Sequence, residues 1–153
     1  ALTAEETLLI RAEAYILQKE YDKALADLQV WVNNTINGPY TLTKEAIENW
    51  VDSYQYYTPN APTPKKKLNP EFAIEEGQQE AYLQFLLYAR RYETMFSGLR
   101  WFDIKRYGIE IYRRTMQSGQ PVSIGDMLKV RDNRCALQIP PDVISAGITP
   151  NPR

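Results

Sequence analysis

Trp50, Tyr54, Tyr56 and Tyr57 crowd into one short stretch of the chain, with Gln55 and Asn60 interleaved among them. A pyranose ring presents a face of C–H bonds that stacks on a flat indole or phenol, while side-chain amides satisfy its hydroxyls. These residue types at this density therefore fit non-covalent binding of a sugar chain, provided the rings are exposed. The chain is generous with such rings, carrying 11 tyrosines and three tryptophans. The competing reading is a poorly ordered linker whose tyrosines pack against the helical hairpin of residues 4–34.

Catalytic chemistry is less well supplied. A glycosidase needs two carboxylates about 5 to 9.5 Å apart in a cleft, one of them kept protonated by its surroundings. Glu75, Glu76 and Glu80 are close in sequence, and Asp126 and Asp132 follow later. Glu75 and Glu76, as neighbours, point to different faces of any helix, and nothing sets one of these acids in an apolar pocket. They read as a solvated acidic face, and the chain reads as a non-enzyme. The absence of histidine removes the usual metal sites, Ser-His-Asp triads and Cys-His pairs. Cys135 is alone, so no intrachain disulfide forms.

A balance of 18 basic and 19 acidic residues leaves a formal net charge of −1, which offers no general attraction to nucleic acid or to an anionic membrane. Lys65, Lys66 and Lys67 form a cationic run that reads as solvated surface. No apolar run approaches the roughly 20 residues of a membrane-spanning helix, and no signal peptide is recognisable. The expectation is either a cytoplasmic protein or a piece of a longer one.

The elements that would position these residues are mostly helical. The length of 153 residues fits one domain, 1–153. Residues 4–34 read as a helical hairpin, opened by Thr3 as N-cap with Glu6 three residues on. Leu8, Ala12 and Tyr15 mark the inner face of its first helix, and Ala24, Leu28 and Trp31 that of its second. Tyr21 followed by Ala24 matches the large/small pattern of a tetratricopeptide repeat. Thr43 is an N-cap for a short helix over 44–50. Residues 53–70 hold four prolines and three tyrosines without a helical period and form a long loop. Asn69 and Pro70 then restart a helix that Gly77 divides, and residues 78–96 carry a broad buried stripe including Tyr92 and Phe96.

Between Gly98 and Gly108 lies a compact helix, with Gly108 at its C-cap. Its Leu99, Trp101, Phe102 and Ile104 make it apolar on much of its circumference, so it is expected to be pressed between other elements. Asp103 has Arg100 and Arg106 within reach at i±3. Beyond Gly108 the pattern allows one short strand near Ile109–Tyr112 and further β-like runs near 121–124 and 128–130. Extended chain from Ala136 to Pro141 and a surface wrap over 141–153 complete the chain.

Three blocks taken in order are similar to the SusD/RagB family of outer-membrane nutrient-binding lipoproteins. Leu9–Leu28, with Arg-Ala-Glu-Ala at 11–14 and Tyr-Asp-Lys-Ala-Leu-Ala-Asp-Leu at 21–28, resembles that family's late tetratricopeptide hairpin. Arg90–Gly108, containing Gly-Leu-Arg-Trp-Phe-Asp-Ile-Lys-Arg at 98–106, resembles its signature region, and the closing stretch from Asp132 to Arg153 resembles its C-terminus. Ala89 and Ser97 stand where the family pattern usually has Glu.

The resemblance implies a mostly α, tetratricopeptide-like fold with an irregular C-terminal segment and minor β. It implies that the chain is the C-terminal portion of a longer lipoprotein whose lipid anchor lies upstream of Ala1, held at the cell surface on the outer membrane. It further implies non-catalytic capture of a glycan or oligosaccharide, as in starch and polysaccharide utilisation, and delivery to a SusC-like TonB-dependent transporter, with no metal or organic cofactor. The residues expected to touch the ligand are Trp50, Tyr54, Gln55, Tyr56, Tyr57 and Asn60. The alternative is a tetratricopeptide-type module that binds a protein or peptide and no carbohydrate.

Overall fold

The computed structural model describes residues 3–152; Ala1, Leu2 and Arg153, the last residue of the C-terminal block, lie outside the described residues. The fold is mostly α with a small two-stranded sheet. Helices α1 (Ala4–Leu17) and α2 (Tyr21–Thr35) form the expected hairpin, followed by α3 (Lys44–Asp52), α4 (Gln78–Glu93) and α5 (Arg100–Arg106). Strands β1 (Ile111–Gln117) and β2 (Gln120–Leu128) come next, then a 3-10 turn at Asn133–Cys135 and the short α6 (Pro141–Ser145).

Helix α1 starts where its capping box dictates: the Glu6 N–H donates to Thr3 Oγ1 at 3.1 Å, and the Thr3 N–H to the Glu6 carboxylate at 2.9 Å. Ala12 and Ala24 are fully buried, which lets α1 and α2 approach closely. The inner face of α1 is rotated from the expected one. Leu9, Ala12, Glu13 and Ile16 are buried, while Leu8 and Tyr15 pack on the flank of the core. The reason is that α1 packs on both α2 and α4, which centres its buried stripe between those two contacts.

Helix α4 is the centre of the molecule, touching α1, α3 and α5. Its continuous buried run from Ala81 to Leu87 follows from being covered on several sides. It begins only at Gln78. Asn69 and Pro70 do not restart a helix, because Asn69 is spent elsewhere: its N–H donates to the Tyr107 carbonyl at 2.8 Å and its side-chain amide to the Gly108 carbonyl at 3.2 Å. Gly77, at φ +87°, turns the chain into α4.

The stripe expected to run to Phe96 ends early. Helix α4 stops at Glu93, and Phe96, at φ +71°, is turned outward and fully exposed. The expected burial of the 98–108 aromatics is also corrected, since Phe102 is 64% exposed and Trp101 only half-buried. What α5 buries is Asp103, together with Tyr107 just past its end. The helix closes with paired bonds, Ile109 N–H to the Ile104 carbonyl at 3.0 Å and Gly108 N–H to that of Lys105 at 3.4 Å. With Gly108 at φ +56°, this is a Schellman ending.

The β content is larger than the sequence pattern suggested. β1 and β2 pair antiparallel from Ile111↔Leu128 to Gln117↔Gln120, with two register irregularities. Ser118 and Gly119, at φ +49° and +77°, form the two-residue turn between them. The alternation is weak because the tip of the hairpin is exposed on both faces, leaving hydrophobic periodicity little to mark.

Candidate functional site

The Tyr/Pro segment 53–70 is a tied-down loop. Its limbs are joined by the Tyr57 N–H to the Lys65 carbonyl at 3.1 Å and by Thr63 Oγ1 to the Gln55 carbonyl at 2.7 Å. At the tip, Arg114 of β1 donates to the carbonyls of Pro59 at 2.8 Å and Thr58 at 3.0 Å. The return limb is held by the Gln84 side-chain amide of α4, which donates to the Lys66 carbonyl at 2.6 Å. Two helices' worth of sequence separation is thus closed by backbone carbonyls finding side-chain donors, as a proline-rich loop lacking its own ladder requires.

This arrangement separates the rings that the sequence groups together. Trp50 and Tyr54 do not form an exposed platform. Trp50 is half-buried in an aromatic cluster, with centroids 5.4 Å from Tyr54, 5.6 Å from Phe85 and 4.9 Å from Tyr88. They anchor α3 to α4. Gln55 and Asn60 are exposed on the loop but line no described groove with the tyrosines.

Tyr56 and Tyr57 face a groove of about 600 Å³ between the loop, the start of α4 and the base of the β-hairpin. Tyr112, Glu76, Glu80, Glu110, Lys67 and Asn69 complete its polar and aromatic lining, with Leu68, Ile74 and Val130 between them. The rings of Tyr57 and Tyr112 meet edge-on at 5.5 Å and 64°. The Tyr112 hydroxyl donates to Glu110 Oε2 at 2.9 Å, the Tyr56 hydroxyl to Glu80, and the Tyr57 hydroxyl to the Glu110 carbonyl.

These phenols are held neutral. Burial and then the hydrogen bond and charge of Glu80 push the Tyr56 hydroxyl well above its ordinary value. Burial and the Glu110 charge push Tyr57 up to about 12. The bond to Glu110 raises Tyr112. Lys65 Nζ stands 4.6 Å over the Tyr56 ring and Lys66 Nζ 4.0 Å over that of Tyr57, which fixes the orientation of both phenols.

Comparison with known proteins adds nothing to this geometry. A scan against protein-family models, a search of curated proteins and a search of solved structures each returned no match.

The sequence reading missed Glu110, Tyr112, Lys67 and Asn69, and it set Glu76 and Glu80 on a solvated face. One signal was available: Glu110 and Tyr112 are two apart at the start of a strand and so share a side. The rest depends on the loop folding back over α4, which no local pattern announces.

Two of the groove's three carboxylates are engaged as acceptors, Glu80 from Tyr56 and Glu110 from Tyr112. Among the described residues no three acidic, cysteine or histidine side chains are grouped to hold a metal ion. What the groove offers a ligand is aromatic surface, carboxylate acceptors, an amide and an ammonium group. A second cleft of about 630 Å³ lies between α5 and the C-terminal segment, but Phe72 is its aromatic ring, and the Arg106 guanidinium, 5.3 Å from the ring centroid, already covers it.

Proposed function

We propose that the groove bordered by Tyr56, Tyr57 and Tyr112 binds a glycan without acting on it chemically. The observation that carries this reading is the convergence of those three phenols with Glu76, Glu80, Glu110 and Asn69 on one groove large enough for a sugar ring or two. Polyhydroxylated ligands need both the apolar stacking surface and the ring of acceptors and donors. Glu80 and Glu110, whose lone pairs are oriented by phenols, suit sugar hydroxyl donors, whereas carboxylates tied to tyrosines in this way are poorly placed as a free acid/base pair.

The three sequence blocks similar to SusD/RagB proteins extend the proposal. In that setting the chain is the C-terminal part of a surface lipoprotein of the outer membrane, and its glycan passes to a SusC-like TonB-dependent transporter. No cofactor takes part. Delivery favours modest affinity and fast release.

A protein-binding module is the second reading, favoured by one observation. Ile10 of α1 and Phe102 of α5 are exposed beside Leu99 and Leu9 around a shallow apolar hollow of about 180 Å³. Affinity electrophoresis through gels cast with neutral and acidic polysaccharides separates the two. Retardation that is lost in Tyr56→Ala/Tyr112→Ala supports the glycan groove. Unretarded migration in every gel contradicts it.

A further inference from the structure

The loop that borders the groove also borders a cationic cleft. Lys66, Arg91 and Arg100 converge on it from the loop, α4 and α5, beside the Gln84 amide, and none of the described residues lining it is a carboxylate. Its positive charge is only partly neutralised in place. Among the described residues Lys66 and Arg91 form no ion pair, and Arg100 has only Asp103, at 3.8 Å. Arg100 Nη1 is buried without a hydrogen-bond acceptor, and the Asp103 Oδ2 that it faces is buried without a donor. The ammonium of Lys66 is held by the Thr63 carbonyl at 2.8 Å, so it stays at the cleft instead of extending into solvent.

The electrostatics agree with the geometry. Burial first, and then the repulsion of Arg91, Arg114 and Arg100, bring the Lys66 ammonium down to about 8. A folded chain that gathers three like charges against the single counter-charge of Asp103 carries a local potential that an anion relieves. Arg guanidinium forks and a lysine ammonium are the groups that recognise oxyanions. The cleft is narrow, with about 10 Å³ of open room in all. That admits one oxygen of an anion, with the remainder at the mouth, where Arg91 is exposed.

Lys66 joins this cleft to the saccharide groove, since its Nζ stands over the ring of Tyr57, which lines the groove. We propose that Lys66, Arg91 and Arg100 form an oxyanion subsite that takes a carboxylate or sulfate substituent of the glycan, so that the chain selects acidic over neutral saccharides. The proposal rests on the glycan reading of the groove. Its chemistry requires two kinds of donor acting together: Arg91 supplies an exposed guanidinium at the mouth, and Lys66 supplies a fixed charge within.

The test is a calorimetric titration of this chain with a neutral oligosaccharide, its uronic-acid-bearing counterpart and its sulfated counterpart, at low and at high salt. Wild type, Lys66→Gln and Arg91→Gln are compared. Arg91 is exposed, and Lys66→Gln removes a charge that burial disfavours, so both variants keep the fold, which circular dichroism checks. The expected result is binding of one or both acidic ligands about tenfold tighter than the neutral one, a preference that shrinks in high salt and in each variant while neutral binding is unchanged in Arg91→Gln. The uronic-acid and sulfate arms identify which oxyanion the subsite prefers. Equal binding of neutral and acidic ligands, or a preference that survives both substitutions, overturns the subsite and leaves the glycan groove standing. Absence of binding by all three ligands overturns the glycan reading and the subsite with it.

Discussion

The Tyr107 hydroxyl donates to Glu13 Oε1 at 2.7 Å, joining residues 94 apart in the chain across the middle of the fold. Arg106 Nε reaches the same carboxylate oxygen at 2.9 Å, and Arg90 stands 3.7 Å from the other. Arg90 also bonds Asp103 at 2.9 Å. One connected polar network therefore ties α1, α4 and α5 where a purely apolar core would allow sliding. Tyr107 stays neutral there, because burial and the Glu13 charge both raise it. Desolvation pushes the Asp103 carboxyl up against the pull of Arg90 and Arg100.

The network sets the first prediction. Tyr107→Phe removes one donor while Arg106 still serves Glu13, so it costs about 1 kcal/mol. Glu13→Ala strips the shared acceptor and leaves the buried Tyr107 hydroxyl and the Arg106 guanidinium without it, costing about 3 kcal/mol. Urea unfolding of both singles and the double variant measures this. The double variant should cost less than the sum, and simple additivity would show that the two side chains are not coupled.

A close approach beside that network gives the second. A Cβ on Gly108 would sit 2.2 Å from the Asn69 carbonyl oxygen, on a residue already at φ +56°. A Cβ on Gly98, at φ +77°, meets nothing within 4 Å. Gly108→Ala should therefore cost well over the roughly 1 kcal/mol expected of Gly98→Ala from backbone strain alone. Thermal melts compare them, and equal losses would mean that the loop limb at Asn69 moves aside freely.

Much of this framework is legible in the sequence for stated reasons. Thr3 with Glu6, Thr43, and Gly108 each mark a helix end, because caps are local chemistry. The α1–α2 hairpin is legible because Ala24, Leu28 and Trp31 repeat at helical spacing and are all buried. Phe102 misled for a physical reason: α5 has only seven residues and packs through its polar Asp103, so its aromatic content does not report its burial. The groove was half legible. Tyr56 and Tyr57 stand out by type, but Glu110 and Tyr112 join them only through loop closures such as Arg114 to Pro59, set by contacts distant in sequence.

Lys66 supplies a pH dependence. Its ammonium titrates near 8 in the folded chain against an ordinary 10.5. Below pH 8 it is charged in both states, and the folded state bears the full cost of holding it. Between 8 and 10.5 the unfolded state binds more protons, so stability rises with pH. Above about 10 the raised tyrosines oppose this, since folded Tyr57 keeps its proton to about 12. The clean window is pH 8 to 10, where urea midpoints of the wild type should climb and those of Lys66→Met should stay level. Parallel curves would assign the rise to another group.

The central claim is that Tyr56, Tyr57 and Tyr112 border a glycan groove, and chemical-shift mapping tests it without altering a residue. Backbone amide spectra of the isotope-labelled chain are recorded as neutral and acidic oligosaccharides are added. Saturable shifts concentrated at Tyr56, Tyr57, Lys67, Asn69, Glu110 and Tyr112 are predicted. No saturable shift with any oligosaccharide, or shifts gathered at Ile10, Leu99 and Phe102 instead, would contradict the account.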